Sequence, residues 1–255
     1  LNVDFGFNIS KNDNQVTDLG NLPLAVDQNG NKFIQIGAQR HIVGKPVASY
    51  YDLKVVKADF DATTKRAINM MCDDGKGGTV ACLTSLGQPN APRVFIGRPD
   101  PSLEGSFNST LTLFRAWRLY AQFDFKGGNR ILNNNDRARC QVFAQCLANL
   151  EPEKYDPVYV AQIQSSNILR HWVYQDASFT RLREVSVAYQ MAPRWAQLVG
   201  ARSGSLTLSG RNLALWTSYG GTDPENFFSL EQFARTEQAQ VPPLAQVMFS
   251  LSLSF

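Results

Sequence analysis

The two ends of the chain alternate strictly between apolar and polar residues. In residues 1–10, the odd positions hold Leu, Val, Phe, Phe and Ile, and the even positions hold Asn, Asp, Gly, Asn and Ser. In residues 246–255, apolar side chains again occupy the odd positions, from Val247 to Phe255. A period of two places successive side chains on opposite faces of a β-strand. Both ends are therefore predicted strands.

Further alternating segments lie in the interior of the chain. Four are clear: residues 111–113, 118–126, 185–190 and 203–215. Two are weaker: residues 32–38 and 50–58. A tight turn is expected at residues 115–117, and a turn containing Pro193 precedes the segment that begins at Ser203. The predicted fold class is all-β, with about eight antiparallel strands.

The connections between these strands differ in length. The short ones are residues 43–46, 115–117 and 191–202, and the long ones are residues 11–31, 59–100, 127–176 and 214–244. Outer-membrane barrels have short periplasmic turns and longer external loops, and about 9 to 11 tilted residues cross the hydrocarbon layer. The pattern therefore predicts part of an antiparallel transmembrane β-barrel.

The alternation also predicts which side chains meet lipid. The apolar set is expected to face outward and includes Phe5, Phe123, Val187 and Leu251. The polar set is expected to face inward and includes Asp4, Arg118, Asp124, Lys126, Ser186 and Ser252. A closed barrel pairs every backbone N–H and C=O group, as a membrane requires.

The composition agrees with alternating strands, in which apolar residues are spread along the chain and do not form long apolar runs. Charged residues make up 18% of the chain and hydrophobic residues 44%, against about 25% charged in typical soluble domains. No apolar run approaches the roughly 18 residues of a membrane-spanning helix. The net charge of +3 is spread along the chain, so a nucleic-acid partner is not expected.

Four cysteines form two local pairs, Cys72 with Cys82 and Cys140 with Cys146. Close pairs in polar loops favour disulfides in an oxidising compartment. The alternative is a zinc site, but neither spacing is C-x2-C, and His41 and His171 are distant in sequence. Both pairs are predicted disulfides.

Three groups of residues match, in order, segments of one transporter family. The first is Asp176, Ser178, Phe179, Arg181, Leu182, Val185, Val187, Tyr189 and Pro193. The second is Leu206, Gly210, Asn212, Leu213, Trp216, Tyr219, Gly221, Asp223, Pro224 and Glu225. The third lies upstream and is Gly97, Pro101, Gly105, Phe107 and Asn108. Together they resemble the SusC/RagA-type TonB-dependent outer-membrane transporters.

The resemblance implies a place in a larger molecule. Residues 1–255 would be the C-terminal part of the receptor barrel, while the plug domain and earlier strands would precede Leu1. Implied partners are outer-membrane lipid, the rest of the barrel, the plug, a SusD-like surface lipoprotein, and TonB through the N-terminal part. The segment from Cys72 to Cys82 departs from the family, which often carries a longer Asp-rich segment there.

Two further groups of residues suggest roles. Alternate apolar residues before a terminal aromatic are similar to the signal that barrel-assembly machinery recognises: Phe249, Leu251, Leu253 and Phe255. An ordinary core aromatic is the alternative for Phe255. Aromatic residues also gather at a predicted strand end: Trp216, Tyr219, Phe227 and Phe228. These predict either an interfacial aromatic girdle or a stacking surface for a sugar or peptide.

Candidate chemistry is sparse. Residues 72–75 lack the oxygen ligands of a calcium loop, and residues 76–79 lack the order of a phosphate-binding loop. Asp223 and Glu225 flank Pro224, which indicates a turn more readily than an acid pair. We therefore expect no enzymatic activity, no metal and no cofactor.

The sequence thus favours barrel wall and external loops of an importer of oligomeric nutrients, glycan or peptide, in the bacterial outer membrane. One alternative is an autonomous eight-stranded barrel with a structural or adhesive role. Another is a soluble all-β binding domain. No secretory leader opens the chain at Leu1, where a strand-like pattern starts directly, which indicates either a processed protein or a fragment. A fragment is the favoured interpretation.

Overall fold

The computed structural model describes residues 1–21, 23–28, 30–36, 39–165, 168–227 and 235–255. Its strands, in chain order, are β1 (Asn2–Lys11), β2 (Ala25–Val26), β3 (Lys32–Ile36), β4 (Gln39–Ile42), β5 (Ser49–Asp52), β6 (Val55–Asp61), β7 (Arg66–Asp73), β8 (Thr79–Ala81), β9 (Val94–Gly97), β10 (Leu103–Leu113), β11 (Trp117–Gly127), β12 (Arg130–Asn133), β13 (Tyr174–Asp176), β14 (Phe179–Gln190), β15 (Ser203–Thr217), β16 (Thr236–Glu237) and β17 (Gln246–Ser254). The α-helices are α1 (Asn134–Asp136), α2 (Leu147–Leu150), α3 (Pro157–Ile163) and α4 (Pro193–Gln197). A π-helix spans Arg137–Val142, and 3-10 turns span Pro152–Lys154 and His171–Val173.

The six long strands form one antiparallel sheet in the order β1-β10-β11-β14-β15-β17. They contain 9 to 15 residues each. Within the described residues, β1 and β17 each have a neighbour on one side only, so the sheet is open. The strands predicted at both chain ends, and those predicted around residues 111–126, 185–190 and 203–215, are confirmed.

The register keeps apolar and polar residues on opposite faces across all six strands. One apolar row is Val3, Leu111, Leu119, Val187, Leu208 and Phe249. The neighbouring row on the other face is Asp4, Thr110, Tyr120, Ser186, Ser209 and Met248. A slip of one residue would exchange the two faces. The alternation seen in single strands is therefore a property of the whole sheet.

The apolar face is exposed in this chain. Phe5 is 71% exposed, Val247 74% and Leu251 54%. In a water-soluble sandwich or barrel, such a face would be covered by a second layer. The buried apolar clusters of the described residues lie elsewhere, in the segments that connect the strands.

These connecting segments all leave the same end of the sheet. We call them the head, and they comprise the described residues within 12–102, 128–178 and 218–245. The head contains three small sheets, β2-β3-β4-β5-β9, β6-β7-β8 and β13-β12-β16, together with α1, α2 and α3. The opposite end has short connections: a three-residue hairpin loop at residues 114–116, in which Phe114 and Arg115 have positive φ, and residues 191–202 with α4.

Two expectations require correction. The long connections, predicted as loops, contain short strands and helices. These strands form small sheets that pack around buried residues. The count of about eight strands is not confirmed: six strands form the main sheet, and the two weaker segments supply short head strands instead. Residues 37–38 of the first weaker segment lie outside the described residues. Short alternations do not reveal which sheet a strand joins, because that choice depends on distant partners.

The described helices are all too short or too polar to span a membrane.

Candidate functional site

The polar face of β14 carries two arginines that organise the site. Arg181 lies opposite Asp124 of β11. The pairing of β14 with its neighbours shifts at Arg183, which adds a second cation to the same face. On β15 the irregularity is accommodated by Asn212, whose φ of 53° is left-handed, a conformation that asparagine adopts more readily than most residues. Asn212 Oδ1 then accepts a hydrogen bond from Arg183 Nη1 at 3.1 Å.

The chain after β15 returns to these arginines. We call residues 218–227 the anchored loop. Both carboxylate oxygens of Asp223 accept hydrogen bonds from Arg181 Nη2, at 2.7 and 2.6 Å. Glu225 accepts two from Arg183 Nη2, at 3.0 and 2.9 Å, and its Oε2 also lies 3.0 Å from Arg181 Nε. The side chains of Arg181 and Asp223 are only 3% and 4% exposed.

A second buried carboxylate holds the other end of the anchored loop. Glu237 is fully buried and accepts hydrogen bonds from Tyr219 Oη at 2.6 Å, Thr222 Oγ1 at 2.9 Å and Asn135 Nδ2 at 2.9 Å. A Cβ atom on Gly221 would clash with Glu237 Oε2 and with the Tyr219 ring, so a larger residue there would displace this buried pair. Burial and the hydrogen bond to Glu237 raise the pKa of Tyr219, which keeps its hydroxyl a donor.

These contacts explain the Asp-Pro-Glu sequence. The expected turn is present, since Asp223 Oδ1 accepts from the Glu225 backbone N–H at 2.8 Å. Both carboxylates are paired with arginines rather than with each other, so they form no acid pair. Breaking a buried ion pair by removing one partner costs far more than the intact pair contributes. The arrangement therefore fixes the loop in one position.

Hydrogen bonds continue from this network along the polar face. Tyr120 Oη donates to Gln122 at 2.8 Å, Gln122 Nε2 donates to Asp124 at 2.9 Å, and Arg183 Nε donates to Asp124 at 2.7 Å. We call this face, between β1 and β17, the polar wall. Its side chains are held by one another, which favours a rigid hydrophilic surface.

A cleft of about 310 Å³ lies where the polar wall meets the head. Its lining is Asn12, Asp100, Pro101, Glu104, Lys126, Asn129, Phe179, Pro224, Glu225, Phe227 and Arg235. Arg235 pairs with Asp100 at 2.6 Å, and its guanidinium lies 4.3 Å from the Phe227 ring centre. Asn129 is buried, and its Oδ1 has no hydrogen-bond donor among the described residues. The cleft thus offers paired charges, an amide acceptor and an aromatic face.

The four predicted aromatic residues do not act as one group. Trp216 is 53% exposed and lies on the apolar face, 6.3 Å from Phe123 between ring centres. Tyr219 is buried in the head beside Ile131, with Phe227 packed against the same cluster. Phe228 lies outside the described residues. Of the three described, Phe227 is therefore the one placed to contact a ligand in the cleft.

The predicted assembly signal lies on β17 and just beyond it. Phe249 and Phe255 are exposed at 69% and 74%. Leu251 and Leu253 occupy the same face of the strand, opposite Leu206 and Gly204 of β15. Their recognition by assembly machinery stays a prediction.

The two cysteine pairs differ. Cys72 and Cys82 form a disulfide that joins β7 to the segment after β8, as predicted. Cys140 and Cys146 are free, which corrects the second predicted disulfide. Each sulfur has another partner: Cys146 donates to Asn149 Oδ1 at 2.9 Å, and Cys140 accepts from Tyr159 Oη at 3.7 Å. Burial raises the pKa of Cys140 to about 11, so its reactive thiolate form is rare at neutral pH.

Removing the disulfide is expected to loosen one part of the head. Replacing Cys72 and Cys82 together by serine should destabilise the sheet β6-β7-β8 by about 2–3 kcal/mol, because the unfolded segment gains conformational freedom. Hydrogen exchange of residues 55–91 measures the change. Replacing Cys140 and Cys146 by serine is the control and should leave exchange there unaltered. Equal exchange in both variants would contradict the prediction.

A buried histidine makes the head sensitive to acid. His171 Nδ1 accepts a hydrogen bond from the Val55 backbone N–H at 3.3 Å. Burial, with smaller effects of Lys54 and Arg130, lowers the pKa of His171 from 6.5 to about 4. The folded state therefore binds this proton less readily than the unfolded state, and stability falls as pH drops through 6.5 towards the folded value.

Between about pH 7 and pH 5 the expected loss from this histidine is about 2 kcal/mol. Exchange rates of the head measured across this range test the value. In His171→Asn, which keeps an acceptor but does not titrate, the slope should flatten. An unchanged slope in that variant would exclude His171 as the cause.

No group of three or more His, Cys, Asp or Glu side chains suited to a metal ion occurs among the described residues.

The chain is similar in sequence to proteins that are named TonB-dependent receptors. TonB-dependent receptor P3 of Formosa agariphila is 27% identical over 241 residues, covering 88% of this chain and 24% of that protein. TonB-dependent receptor P26 of the same organism is 25% identical over 244 residues, covering 85% and 23%. No family model matches the chain.

Solved structures share the fold. The structure of the RagAB peptide transporter matches with a TM-score of 0.73 at 20% identity, covering 99% of this chain and 27% of that chain. The RagAB peptide importer in its open-open state matches with a TM-score of 0.70 at 18% identity, covering 99% and 26%. The chain therefore spans about a quarter of the length of the proteins it matches.

Proposed function

We propose that this chain forms barrel wall and external loops of an outer-membrane importer. The sequence comparison and the structural comparison both support a portion of a SusC/RagA-type TonB-dependent receptor. The cargo would be an oligomeric nutrient, glycan or peptide. The observation that carries the proposal is the six-stranded sheet, with one exposed apolar face, one hydrogen-bonded polar face and two open edges.

The apolar face suits contact with lipid. Aromatic residues lie on it in two rows: Trp117 beside Tyr189 near the short turns, and Phe125 near Trp216 at the head end. Trp117 and Phe125 are eight positions apart along β11, or about 27 Å of strand. With a tilt of about 40°, this stretch rises about 21 Å along the membrane normal, close to the height of an apolar band of about 25 Å that aromatic girdles flank. Trp216 would then belong to the external girdle.

The open edges suit insertion into a wider barrel. The outer edges of β1 and β17 present backbone N–H and C=O groups that lipid does not satisfy. In the complete receptor, earlier strands would pair with these edges, and residues 1–255 would be the C-terminal part of a single barrel. The head would lie outside the cell and the short turns in the periplasm.

The polar wall and the cleft would line the route of the nutrient. Oligomeric glycans and peptides repeat hydroxyl or amide groups, which the paired charges and Asn129 of the cleft can bind through hydrogen bonds. The anchored loop would hold Phe227 beside this route. The work proposed for the chain is selection and passage, not covalent chemistry, which agrees with relatives that are named receptors and transporters.

The proposed partners follow from the family. They are the plug, the rest of the barrel, a SusD-like surface lipoprotein over the head, TonB acting through the N-terminal part, and barrel-assembly machinery reading the end of β17. The solved structures that match this chain are those of the RagAB peptide transporter and importer, which supports a partner protein at the surface.

The test compares the complete receptor with this chain alone, each expressed with the same secretion leader. The complete receptor should give a heat-modifiable band and should import labelled oligomers only in cells with functional TonB. This chain alone should be degraded or aggregate, because its edges stay unpaired. A stable heat-modifiable monomer of residues 1–255 would instead support the autonomous barrel with a structural or adhesive role.

A further inference from the structure

Two arginines of the head face a small cleft away from the polar wall. The cleft holds about 130 Å³ and is lined by Leu132, Asn134, Arg137, Arg170, Val173 and Tyr174. Such a volume is about four times the share of one water molecule in the liquid. It fits one small functional group, not a whole sugar ring with its substituents.

Within the described residues, the charge of Arg170 is only partly compensated. Asp52 is fully buried, and its carboxylate serves two guanidinium groups: it pairs with Arg93 through Oδ1, and its Oδ2 lies 3.6 Å from Arg170 Nε. At that separation Arg170 Nε makes no hydrogen bond to Asp52, and none to any other described residue. One carboxylate therefore only partly compensates Arg170.

Arg137 lines the same cleft and is held in place by a hydrogen bond. Its Nε donates to Asn134 Oδ1 at 2.5 Å, at the junction between α1 and the π-helix. Burial and, to a smaller extent, the charge of Arg170 lower the pKa of Arg137, which is the direction expected when two like charges lie near each other and repel. An anion between them would relieve this repulsion.

We infer that this cleft binds one carboxylate or similar oxyanion between Arg137 and Arg170. Guanidinium groups present paired N–H donors that match the two oxygens of a carboxylate. The apolar side chains of Leu132 and Val173 line the same cleft and favour a compact anion that is partly stripped of water. Resting on the proposed function, the source of the anion would be an acidic group on an imported oligomer, such as a uronate or an acidic peptide side chain.

The experiment uses the complete receptor purified in detergent and measures modification of single arginines by phenylglyoxal with peptide mass spectrometry. Acetate and sulfate are the probes, compared with chloride at equal ionic strength. Acetate or sulfate should slow modification of Arg137 and Arg170 at least fivefold. Arg139, which is exposed and pairs with Asp136 at 2.7 Å, should change less than twofold and serves as the internal control.

Variants separate a shared site from general shielding. In Arg170→Gln, protection of Arg137 by acetate should disappear, whereas in Arg139→Gln it should persist. Arg170→Lys keeps the charge but loses the paired donors, and should reduce protection at least threefold. Heat modifiability confirms that each variant is folded. Three results would each overturn the inference. Chloride could protect Arg137 and Arg170 as well as acetate or sulfate does, Arg139 could be protected as strongly as they are, or acetate could still protect Arg137 in Arg170→Gln.

Two further arms identify the source of the anion. Glucuronate and glutarate are compared at equal concentration, and whichever protects at the lower concentration indicates an acidic glycan or an acidic peptide. Protection is measured without TonB and without uptake, so the test of the anion site is independent of the test of the proposed function. Protection without import would contradict the transport proposal and support the anion site. Import without protection would contradict the anion site and support the transport proposal.

Discussion

Replacing Asp223 by alanine is expected to destabilise the anchored loop by up to about 3–5 kcal/mol. Arg181 is then left buried with Glu225 alone, a carboxylate that it shares with Arg183. The side chain of Arg181 is 3% exposed, so water does little to replace the lost carboxylate. The loop should detach from the polar wall, and import should fall with it. Proteolysis of residues 218–227 and uptake of labelled oligomer measure the two effects.

Two controls make this result specific. Glu184→Ala breaks the pair with Arg211, whose side chain is 52% exposed, and should cost less than about 1 kcal/mol. Replacing Arg181 by methionine together with Asp223 by leucine removes both buried charges, and should cost much less than Asp223→Ala alone. If Asp223→Ala costs no more than Glu184→Ala, the ion pair does not hold the loop.

An arginine in the middle of the apolar face is expected to cost about 2–4 kcal/mol, falling to about 0–1 kcal/mol near the membrane interfaces. Val247 lies in the central row, opposite Gly210 and midway between the two aromatic rows. Leu251 lies in the row that contains Trp117 and Tyr189. Val247→Arg and Leu251→Arg should therefore both destabilise the barrel, because both place a charge on the apolar face.

The matched control places arginine on the other face. Ser250→Arg lies on the polar wall beside Thr207, where water is available, and should be close to neutral. Unfolding by denaturant of the complete receptor in lipid vesicles measures the three variants. Equal costs for Val247→Arg and Ser250→Arg would contradict the assignment of faces.

The sequence was informative where structure depends on local alternation. The period of two located the six long strands and separated Phe5 from Asp4, and Val187 from Ser186, across the whole sheet. The motifs also contained Arg181, Asn212, Gly221 and Asp223 without revealing what they touch. Each of these residues is now explained by a contact made on folding.

Other features depend on contacts between distant parts of the chain and carried no local signal. Glu237 lies in a segment with no motif, yet it joins Tyr219 to Asn135. The shift at Arg183 lies just before the alternating segment 185–190, whose regular pattern gave no sign of it. The free thiols of Cys140 and Cys146 show that closeness in sequence does not set the geometry a disulfide requires.

The central claim is that one face of the six-stranded sheet meets lipid and the other meets water. Spin labels at single positions of the complete receptor in lipid vesicles test it most directly, through collision with oxygen and with a water-soluble nickel complex. Labels at Phe5, Val187 and Leu251 should collide more with oxygen, which concentrates in lipid. Labels at Asp4, Ser186 and Ser252 should collide more with nickel. The claim would be contradicted if the oxygen and nickel accessibilities did not alternate between these neighbouring positions. It would also be contradicted if they alternated in the opposite sense.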